Sequence, residues 1–364
     1  MANYACISAD SHVFEPGDLW QKYTDAKFRA QAPRLVQQDG EDVIVADWGL
    51  ASSPGMGVSA GKRPEEVKLR GTYAEAPKGA WDPNERLKDQ AKDGIDAEVI
   101  YPTVGMSLYH APDDDLMMAL FRAYNDWLVE FCATHPRQYQ GVAIVNTENI
   151  PAAVEEIQRA AGKGLRGVMI PAAPKPDQPF SDPSYYDPFW AAAQEADMPV
   201  SLHTFAAPVR AVEVADWSVT YTVATFQIQR SIAEMVFSGV FERFPKLKII
   251  SVENDVSWAS NFMERMDHVH HRHRFWAGTQ LKSGVMPSQF FRDHVYLTFI
   301  RDAGAAPLRH LIGVKNIMWS SDYPHADTSF PNSHKLIAEQ FAGVPADELQ
   351  RMVCDNVAEL YHMN

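Results

Sequence analysis

The chain is poor in cysteine and has no long apolar segment. Its three cysteines, Cys6, Cys132 and Cys354, are odd in number and widely spaced in 364 residues, which excludes a disulfide framework and a paired-cysteine metal site and fits a reducing compartment. No apolar run reaches the roughly 18 residues of a membrane span, and the amino terminus lacks the basic start and apolar stretch of a signal peptide. We therefore expect a cytoplasmic protein whose cysteines serve packing.

Positive charge is also scarce. Lys and Arg together number 33 against 47 Asp and Glu, a formal net charge of −14. This balance argues against a nucleic-acid partner and against attachment to anionic membranes by charge. The hydrophobic fraction of 46% and the charged fraction of 22% are typical of a globular chain with a large core. These proportions favour a soluble enzyme that acts on a small molecule.

Eight short apolar segments alternate with segments of helical periodicity, which predicts an α/β architecture with parallel strands. Eight such repeats favour a (β/α)8 barrel over an open sheet. The expected helices include residues 84–93, 117–134, 150–162 and 223–242. The expected strands are residues 6–9, 97–101, 139–145, 167–170, 199–203, 247–252, 295–299 and 317–321.

The interval between the first two predicted strands, residues 13–96, is too long for a simple connection. It contains an alternating segment at 42–48, a Gly/Ser/Pro-rich stretch at 51–61, and the helix start Asp82-Pro83. Loops of this length are usually functional or disordered. We interpret residues 1–364 as one barrel domain, with this insertion forming a small β-ribbon and a loop that acts as a lid or as a dimer-contact arm.

Chemically active side chains fall where predicted strands end. Asp10 and His12 follow the first strand, and because alternate strand residues share a face, both point the same way. His203 ends the fifth strand, Glu253 the sixth and Asp322 the eighth. Each signal alone is weak, since such residues often serve only as hydrogen-bonded structural groups. Together they lie at the barrel face where active sites form, and they predict a site for a divalent metal ion.

The motifs around these residues also carry a family resemblance. The early Asp-x-His, the Leu-His-Thr that contains His203, the segment Ser-Ser-Asp-Tyr-Pro-His-Ala-Asp and the Asn-Val-Ala-Glu-Leu-Tyr near the end resemble the amidohydrolase-related family, which includes aminocarboxymuconate-semialdehyde decarboxylase-like enzymes. The resemblance spans about residues 6 to 362 and implies a (β/α)8 barrel holding one divalent metal ion, zinc or else manganese. The ligands it implies are Asp10, His12, His203 and Asp322.

Two reactions are compatible with that ligand set. The resemblance favours metal-dependent, non-oxidative decarboxylation of an aromatic or unsaturated acid, with Asp322 passing the proton. The alternative is hydrolysis of an amide, lactone or C–C bond by a metal-bound hydroxide. One departure weakens the choice, because many family decarboxylases carry a histidine where this chain has Glu253. Glu253 could act as a base or extra ligand, or it could pair with Arg210 or Arg301 and only shape the pocket.

Several further residues remain open candidates. Arg301 follows the seventh strand and could bind a substrate carboxylate, or pair with a loop acid. Arg210 is a second substrate-binding candidate, and His325 is either an acid/base group or a structural hydrogen-bond partner. Four histidines within 263–275 spread around a helix, which favours a solvated or partner-facing surface. A catalytically inactive barrel is disfavoured because all four implied ligands are present, and we expect a homodimer.

Overall fold

The computed structural model describes residues 4–175, 177–206 and 217–363. Eight of its strands are parallel and three are antiparallel. The strands are β1 (Ile7–Val13), β2 (Arg34–Gln38), β3 (Glu41–Val45), β4 (Ala51–Ser52), β5 (Ala97–Pro102), β6 (Tyr139–Ile144), β7 (Gly167–Ile170), β8 (Val200–His203), β9 (Ile249–Val252), β10 (Val295–Phe299) and β11 (Ile317–Trp319).

The eight parallel strands form one sheet in the order β1, β5, β6, β7, β8, β9, β10, β11. Neighbours in this order follow one another along the chain, apart from the insertion between β1 and β5, as is usual for consecutive elements joined by short connections. The first and last strands meet through the backbone, since Asp322 N–H donates to Asp10 O at 3.0 Å and His12 N–H donates to Tyr323 O at 2.6 Å. The predicted (β/α)8 barrel is therefore confirmed.

Helices connect the barrel strands and cover the outside of the sheet. Short 3-10 turns and a π-helical segment at Arg351–Asp355 complete the helical structure. The α-helices are α1 (Leu19–Tyr23), α2 (Gly55–Val58), α3 (Pro83–Asp93), α4 (Val104–Ser107), α5 (Asp114–Thr134), α6 (Ile150–Gly162), α7 (Pro183–Glu195), α8 (Trp217–Thr222), α9 (Thr225–Phe237), α10 (Val240–Arg243), α11 (Trp258–His273), α12 (Pro287–His294), α13 (Ala305–Ile312), α14 (Ser333–Gln340), α15 (Ala346–Gln350) and α16 (Asn356–Leu360).

Local sequence explains the boundaries of α3 and the break between α9 and α10. The Asp82 carboxylate caps α3 by accepting the N–H groups of Asn84 and Glu85, and α3 ends at Gly94, whose φ of +76° suits glycine. The predicted single helix over 223–242 is wrong in one respect. Gly239 adopts φ +75° and separates α9 from α10, because a residue in the left-handed region ends the α-helical hydrogen-bond ladder.

The first strand is longer than its apolar segment. The prediction ended it at residue 9, whereas β1 continues to Val13, with His12 opposite Tyr101 of β5. Asp10, Ser11 and His12 are polar yet fully buried, so a hydrophobicity criterion ends the strand too early. The register shifts between Ser8 and Ser11, and such a bulge re-aims side chains near an active site.

The core lies inside the barrel and between the strands and helices. Every residue of β7, β8, β9 and β11 is buried, which is expected when parallel strands are covered on both faces. Trp190 and Trp319 are among the largest fully buried side chains. Cys6, Cys132 and Cys354 are buried and unpaired, as predicted. Among the described residues, no helix has both the length and the apolar character needed to cross a membrane.

The insertion after β1 carries a three-stranded antiparallel sheet in the order β2, β3, β4, where the sequence predicted a ribbon. The predicted loop at 51–61 contains the short helix α2. The insertion folds back on its own first residues, since the Tyr73 hydroxyl donates to Glu15 O at 2.6 Å and Gly57 packs on the Phe14 ring. It contacts the end of the barrel through Arg86, which donates to Tyr323 O at 3.4 Å. Its role as a lid or a dimer-contact arm remains a prediction.

Candidate metal centre

Two histidines and two aspartates from three strand ends converge inside the barrel. The Nε2 atoms of His12 and His203 lie 3.2 Å apart. Asp10 Oδ1 is 3.4 Å from His12 Nε2 and 3.6 Å from His203 Nε2, and Asp322 Oδ1 is 3.3 Å from His12 Nε2. All four side chains are buried. The residues that the sequence predicted as metal ligands therefore lie together.

Backbone carbonyls fix the orientation of both imidazoles. His12 Nδ1 lies 2.8 Å from Pro102 O and His203 Nδ1 lies 2.9 Å from Thr204 O. A carbonyl only accepts, so each Nδ1 carries the proton of its hydrogen bond. This arrangement leaves the Nε2 atoms directed at the carboxylates, as in histidines whose other nitrogen is held for metal binding.

The polar atoms at the centre of this cluster are unusually short of partners. Within the described part of the chain, neither carboxylate oxygen of Asp10 or of Asp322 makes a hydrogen bond of normal geometry. Buried polar groups are almost always paired, since burial of an unpaired one is costly. Ligand bonds of about 2.0–2.2 Å in tetrahedral or similar geometry place neighbouring ligand atoms roughly 3.0–3.6 Å apart, which matches the separations above. The donor set fits a divalent cation.

The pKa shifts of the four side chains are consistent with a site that favours positive charge between them. Burial opposes the ionisation of Asp10, but the adjacent imidazoles of His12 and His203 outweigh it and lower the Asp10 pKa. Burial alone would lower the pKa of His203, yet its contact with Asp10 raises it. Burial and the neighbouring His325 lower the pKa of His12 to about 3. Burial and the Asp10 carboxylate raise the pKa of Asp322 well above its usual range.

His325 borders the cluster on the Asp322 side. Its ring stacks on that of His12 with centroids 4.0 Å apart, and its Nδ1 lies 3.1 Å from Asp322 Oδ1. Its Nε2 lies 3.0 Å from the Thr103 hydroxyl. Burial lowers the pKa of His325 to about 3, so the imidazole is neutral near physiological pH. His325 therefore reaches the group that the sequence assigned to proton transfer.

Glu253 lies on the opposite side, behind His203. Its Oε2 is 3.7 Å from His203 Nδ1, and its Oε1 accepts a hydrogen bond from Tyr221 at 3.4 Å. The backbone of Glu253 has φ +58° and its N–H donates to the Thr298 hydroxyl. Burial and the Asp322 carboxylate raise the pKa of Glu253 well above its usual range. Sequence reasoning did not find Tyr221, which lies on a separate helix.

Of the two arginines predicted to bind the substrate, only Arg301 lies among the described residues. Arg210 lies outside the described residues. Arg301 follows β10 and is exposed. It makes no ion pair within the described ranges, and its role as a substrate contact stays a prediction. Its neighbour Asp302 accepts the N–H groups of Val256 and Ser257, which anchors the backbone beside Arg301 but leaves the guanidinium in solvent.

A second buried polar cluster lies behind the first, and sequence reasoning missed it. The guanidinium of Arg86 donates to Glu98 Oε2 at 2.6 Å and to His12 O at 2.8 Å. Glu98 also accepts from Ser11 at 3.1 Å and from Gln90 at 2.8 Å. The helical periodicity of α3 could have indicated that Arg86 is buried, because this residue lies on the face of the helix that packs against the barrel.

The histidines of α11 lie outside the cluster of Asp10, His12, His203 and Asp322, which is called the metal-facing cluster below. His268 and His271 are exposed and His273 is half-buried, as predicted for a solvated face. His270 is the exception, since it is buried and its Nδ1 makes no hydrogen bond within the described residues. The sequence prediction is wrong for this residue, because it faces the segment after α11 rather than water.

Fold and site together define the class of this protein: a (β/α)8 barrel with a buried cluster of two histidines and two aspartates at the carboxyl ends of its strands, suited to one divalent metal ion. Residues 17–363 match the family model described as amidohydrolase. The chain therefore belongs to the amidohydrolase family, in agreement with the motif resemblance.

Similar proteins of known name extend this comparison. The chain is 22% identical over 258 residues to 2-amino-3-carboxymuconate-6-semialdehyde decarboxylase of Dictyostelium discoideum, covering 69% of each chain. It is 27% identical over 232 residues to gamma-resorcylate decarboxylase of a Polaromonas species, covering 58% of this chain and 69% of the relative.

Solved structures share the fold over the whole chain. An amidohydrolase from Mycobacterium avium subsp. paratuberculosis superposes with a TM-score of 0.79 at 22% identity, covering 99% of this chain and all of the other. The 5-carboxyvanillate decarboxylase of Novosphingobium aromaticivorans, solved with manganese and a nitrobenzoic acid, superposes with a TM-score of 0.70 at 17% identity and covers 99% and 96% of the two chains.

Proposed function

We propose that this protein is a metal-dependent, non-oxidative decarboxylase of an aromatic or unsaturated carboxylic acid. The observation that carries the proposal is the buried cluster in which both oxygens of Asp10 and of Asp322 lack partners while two histidine Nε2 atoms face them. The named relatives act as decarboxylases, which favours this reaction among those that the same ligands could support.

The proposed metal ligands are Asp10, His12, His203 and Asp322. Imidazole and carboxylate donors suit both zinc and manganese, and we propose zinc first with manganese as the alternative. When bound, the ion would supply positive charge that holds a substrate carboxylate and its neighbouring oxygen and stabilises negative charge during the reaction. Arg301 is proposed as a further contact for an anionic substrate, because its guanidinium has no described acidic partner.

Asp322 is the proposed proton carrier. One of its carboxyl oxygens delivers a proton to the carbon that bears the substrate carboxylate. The bond from that carbon to the carboxylate then breaks, its electron pair returns to the unsaturated system, and CO2 leaves. His325, whose Nδ1 lies 3.1 Å from Asp322 Oδ1, is placed to orient that carboxyl group and to pass it the next proton.

Glu253 is proposed to act through His203. Its Oε2 lies 3.7 Å from the Nδ1 of that imidazole, on the side away from the other donors. His203 Nδ1 already donates to Thr204 O at 2.9 Å, so Glu253 acts on this imidazole by charge rather than by a hydrogen bond, and a negative charge there raises the pKa of His203. The same carboxylate is the specific observation that favours hydrolysis as the second candidate, since a carboxylate near the site can serve as a base for water.

The experiment is a turnover assay on the purified protein loaded with Zn2+ or Mn2+. Gamma-resorcylate, 5-carboxyvanillate and 2-amino-3-carboxymuconate-6-semialdehyde are the first substrates, each followed by CO2 release and product formation. Release of CO2 that is lost on Asp322→Asn supports decarboxylation. Hydrolysis of a lactone or amide panel, with no CO2 from any acid, would replace it with the second candidate.

A further inference from the structure

Helix α11 presents an exposed face along its length. Asn261, Glu264, His268 and Arg272 are exposed, and their spacing of three or four residues places them on one side of the helix. Neither the Glu264 carboxylate nor the Arg272 guanidinium forms an ion pair with a described residue. The face therefore carries an acid near its beginning, a base near its end and a histidine midway between them.

Two aromatic side chains follow this face at the end of α11. Phe275 is 86% exposed and Trp276 is 74% exposed, the highest values for large hydrophobic side chains among the described residues. The Arg274 guanidinium lies 4.6 Å from the centre of the Phe275 ring, so positive charge borders the aromatic pair. Exposed aromatic surface of this kind is typical of a protein contact site, because its burial in an interface is favourable.

A groove opens beside the first turns of the same helix. It lies between α11, α12 and α13 and has a volume of about 520 Å³. Ser260, Glu264 and Asp267 line its α11 side, and Leu311, which is 58% exposed, lines the opposite side. Arg292 also lines the groove and donates to Leu311 O at 3.1 Å. The groove is large enough for an indole ring, since a cavity of about 150 Å³ holds benzene.

Two copies of this face complement each other when the two helices run antiparallel. If His268 of one copy lies opposite His268 of the second on a two-fold axis, each residue faces the one equally far on the other side of position 268. Glu264 and Arg272 each lie about 6 Å from His268 along the helix axis, so each carboxylate faces the guanidinium of the other copy. The same register brings Trp276 of one copy to Ser260, and thus to the groove, of the other.

We propose that the exposed face of α11 is the contact surface of a two-fold homodimer, in which Glu264 pairs with Arg272 of the second copy and Trp276 enters its groove. The pattern favours a second copy over an unrelated protein, because one symmetry axis relates the acid to the base and the aromatic pair to the groove. A face that binds an unrelated protein has no reason to complement itself. The inference concerns assembly and is independent of the proposed reaction.

The test is sedimentation equilibrium of the full chain at several concentrations. Arg272→Glu and Glu264→Arg each place like charges opposite one another in the proposed dimer. The double variant Glu264→Arg/Arg272→Glu exchanges the two charges and restores their complementarity. Trp276→Ser removes the aromatic contact. The matched control is Arg70→Glu, which reverses an exposed arginine of the insertion, 3.8 Å from Glu41, and also tests the insertion as the dimer contact.

We expect wild type and Arg70→Glu to sediment at twice the chain mass of 40.8 kDa. Each single charge variant and Trp276→Ser should raise the dimer Kd at least about 10-fold, and the double variant should return it close to the wild-type value. Unchanged dimerisation in both single charge variants, or a double variant no better than either, would overturn the inference. A monomeric wild type would overturn it as well and leave the face to a different protein.

His268→Cys checks the position of the two-fold axis directly. The three native cysteines are buried, so mild oxidation should link the new cysteine only to its counterpart in the second copy. A disulfide requires Cα atoms within about 7 Å, which is met only near the axis. We expect a covalent dimer from His268→Cys and none from Arg70→Cys. The reverse result would place the contact on the insertion and contradict the inference.

Discussion

Two buried polar clusters lie next to each other in the barrel, and β1 contributes to both. Asp10 and His12 point into the metal-facing cluster with His203 and Asp322, whereas Ser11 points into the supporting cluster with Arg86, Gln90 and Glu98. In the metal-facing cluster neither carboxylate has a hydrogen-bond partner among the residues that the structure describes. In the supporting cluster Glu98 accepts from three side chains.

This difference in hydrogen bonding indicates that one cluster binds a ligand and that the other stabilises the fold. A buried carboxylate with all its acceptors used, such as Glu98, is explained by the fold alone. Two buried carboxylates whose oxygens make no hydrogen bond within the described residues are not explained in this way, and together with the two imidazoles they fit a divalent cation. The clusters are joined because Arg86 donates to the carbonyl oxygens of His12 and Tyr323. These carbonyls belong to the strand ends that carry the metal-facing donors.

The largest effect is expected in the metal-facing cluster. Asp322→Asn keeps the shape of the side chain but cannot carry the proton, so kcat should fall by about 10²- to 10⁴-fold, the usual contribution of a positioned acid or base. The urea midpoint of unfolding and the metal content should change little. Turnover close to the wild-type value would remove Asp322 from the chemistry.

The next effect is expected in the supporting cluster, and on stability rather than chemistry. Arg86→Met leaves Glu98 buried without its cationic partner and should lower the free energy of unfolding by roughly 3–5 kcal/mol. The matched control is Arg351→Met, which breaks the exposed pair with Glu359 and should cost at most about 1 kcal/mol. Equal losses in the two variants, measured by urea titration, would contradict the assignment of a structural role to the supporting cluster.

Glu253→Gln tests the residue that lies behind His203, at the edge of the metal-facing cluster. A role in proton transfer or in supporting His203 predicts a fall in kcat of about 10- to 100-fold with an altered pH profile. The assay is kcat measured from pH 5 to pH 9 on an accepted substrate. A smaller change with the profile intact would show that Glu253 only shapes the pocket.

The smallest effect is expected at Asp255 on the solvent side of the metal-facing cluster. Partial desolvation, followed by the neighbouring carboxylates of Asp302 and Asp327, raises the pKa of Asp255 from 3.8 to about 6, although the residue keeps a surface exposed to solvent. The folded state therefore binds more protons than the unfolded state between about pH 4 and pH 6, and stability falls as the pH rises through that window.

Asp255→Asn should remove this contribution, and the φ of +56° at this position suits asparagine. Because the side chain is exposed, solvent screening should keep the change below about 1 kcal/mol. Urea titrations of both proteins at pH 4, 5, 6 and 7 provide the check. The free energy of unfolding of the wild type should fall relative to that of the variant as the pH rises. If it rises relative to the variant, the assigned shift of the Asp255 pKa is wrong.

The sequence was sufficient for the barrel and for the metal-facing cluster. Apolar runs mark all eight parallel strands because such strands are buried on both faces, and His203 and Asp322 stand where those runs stop. The supporting cluster was not predicted, because it joins Arg86 on a helix to Glu98 on a strand and only the packed fold brings the two side chains together. The contact between Thr103 and His325 was not predicted for the same reason, since nothing in the local sequence of Thr103 indicates it.

The most direct test of the central claim is metal stoichiometry. Protein dialysed against chelator and then titrated with Zn2+ or Mn2+ by calorimetry should bind one ion per chain, and His203→Ala should lose most of that binding while remaining folded by circular dichroism. The control is His294→Ala, a buried histidine whose Nδ1 also bonds a backbone carbonyl, that of Leu247, but which lies outside the cluster. The account predicts one equivalent in wild type and in His294→Ala, and a large loss in His203→Ala. Full stoichiometric binding by folded His203→Ala, or no binding by wild type, would contradict it.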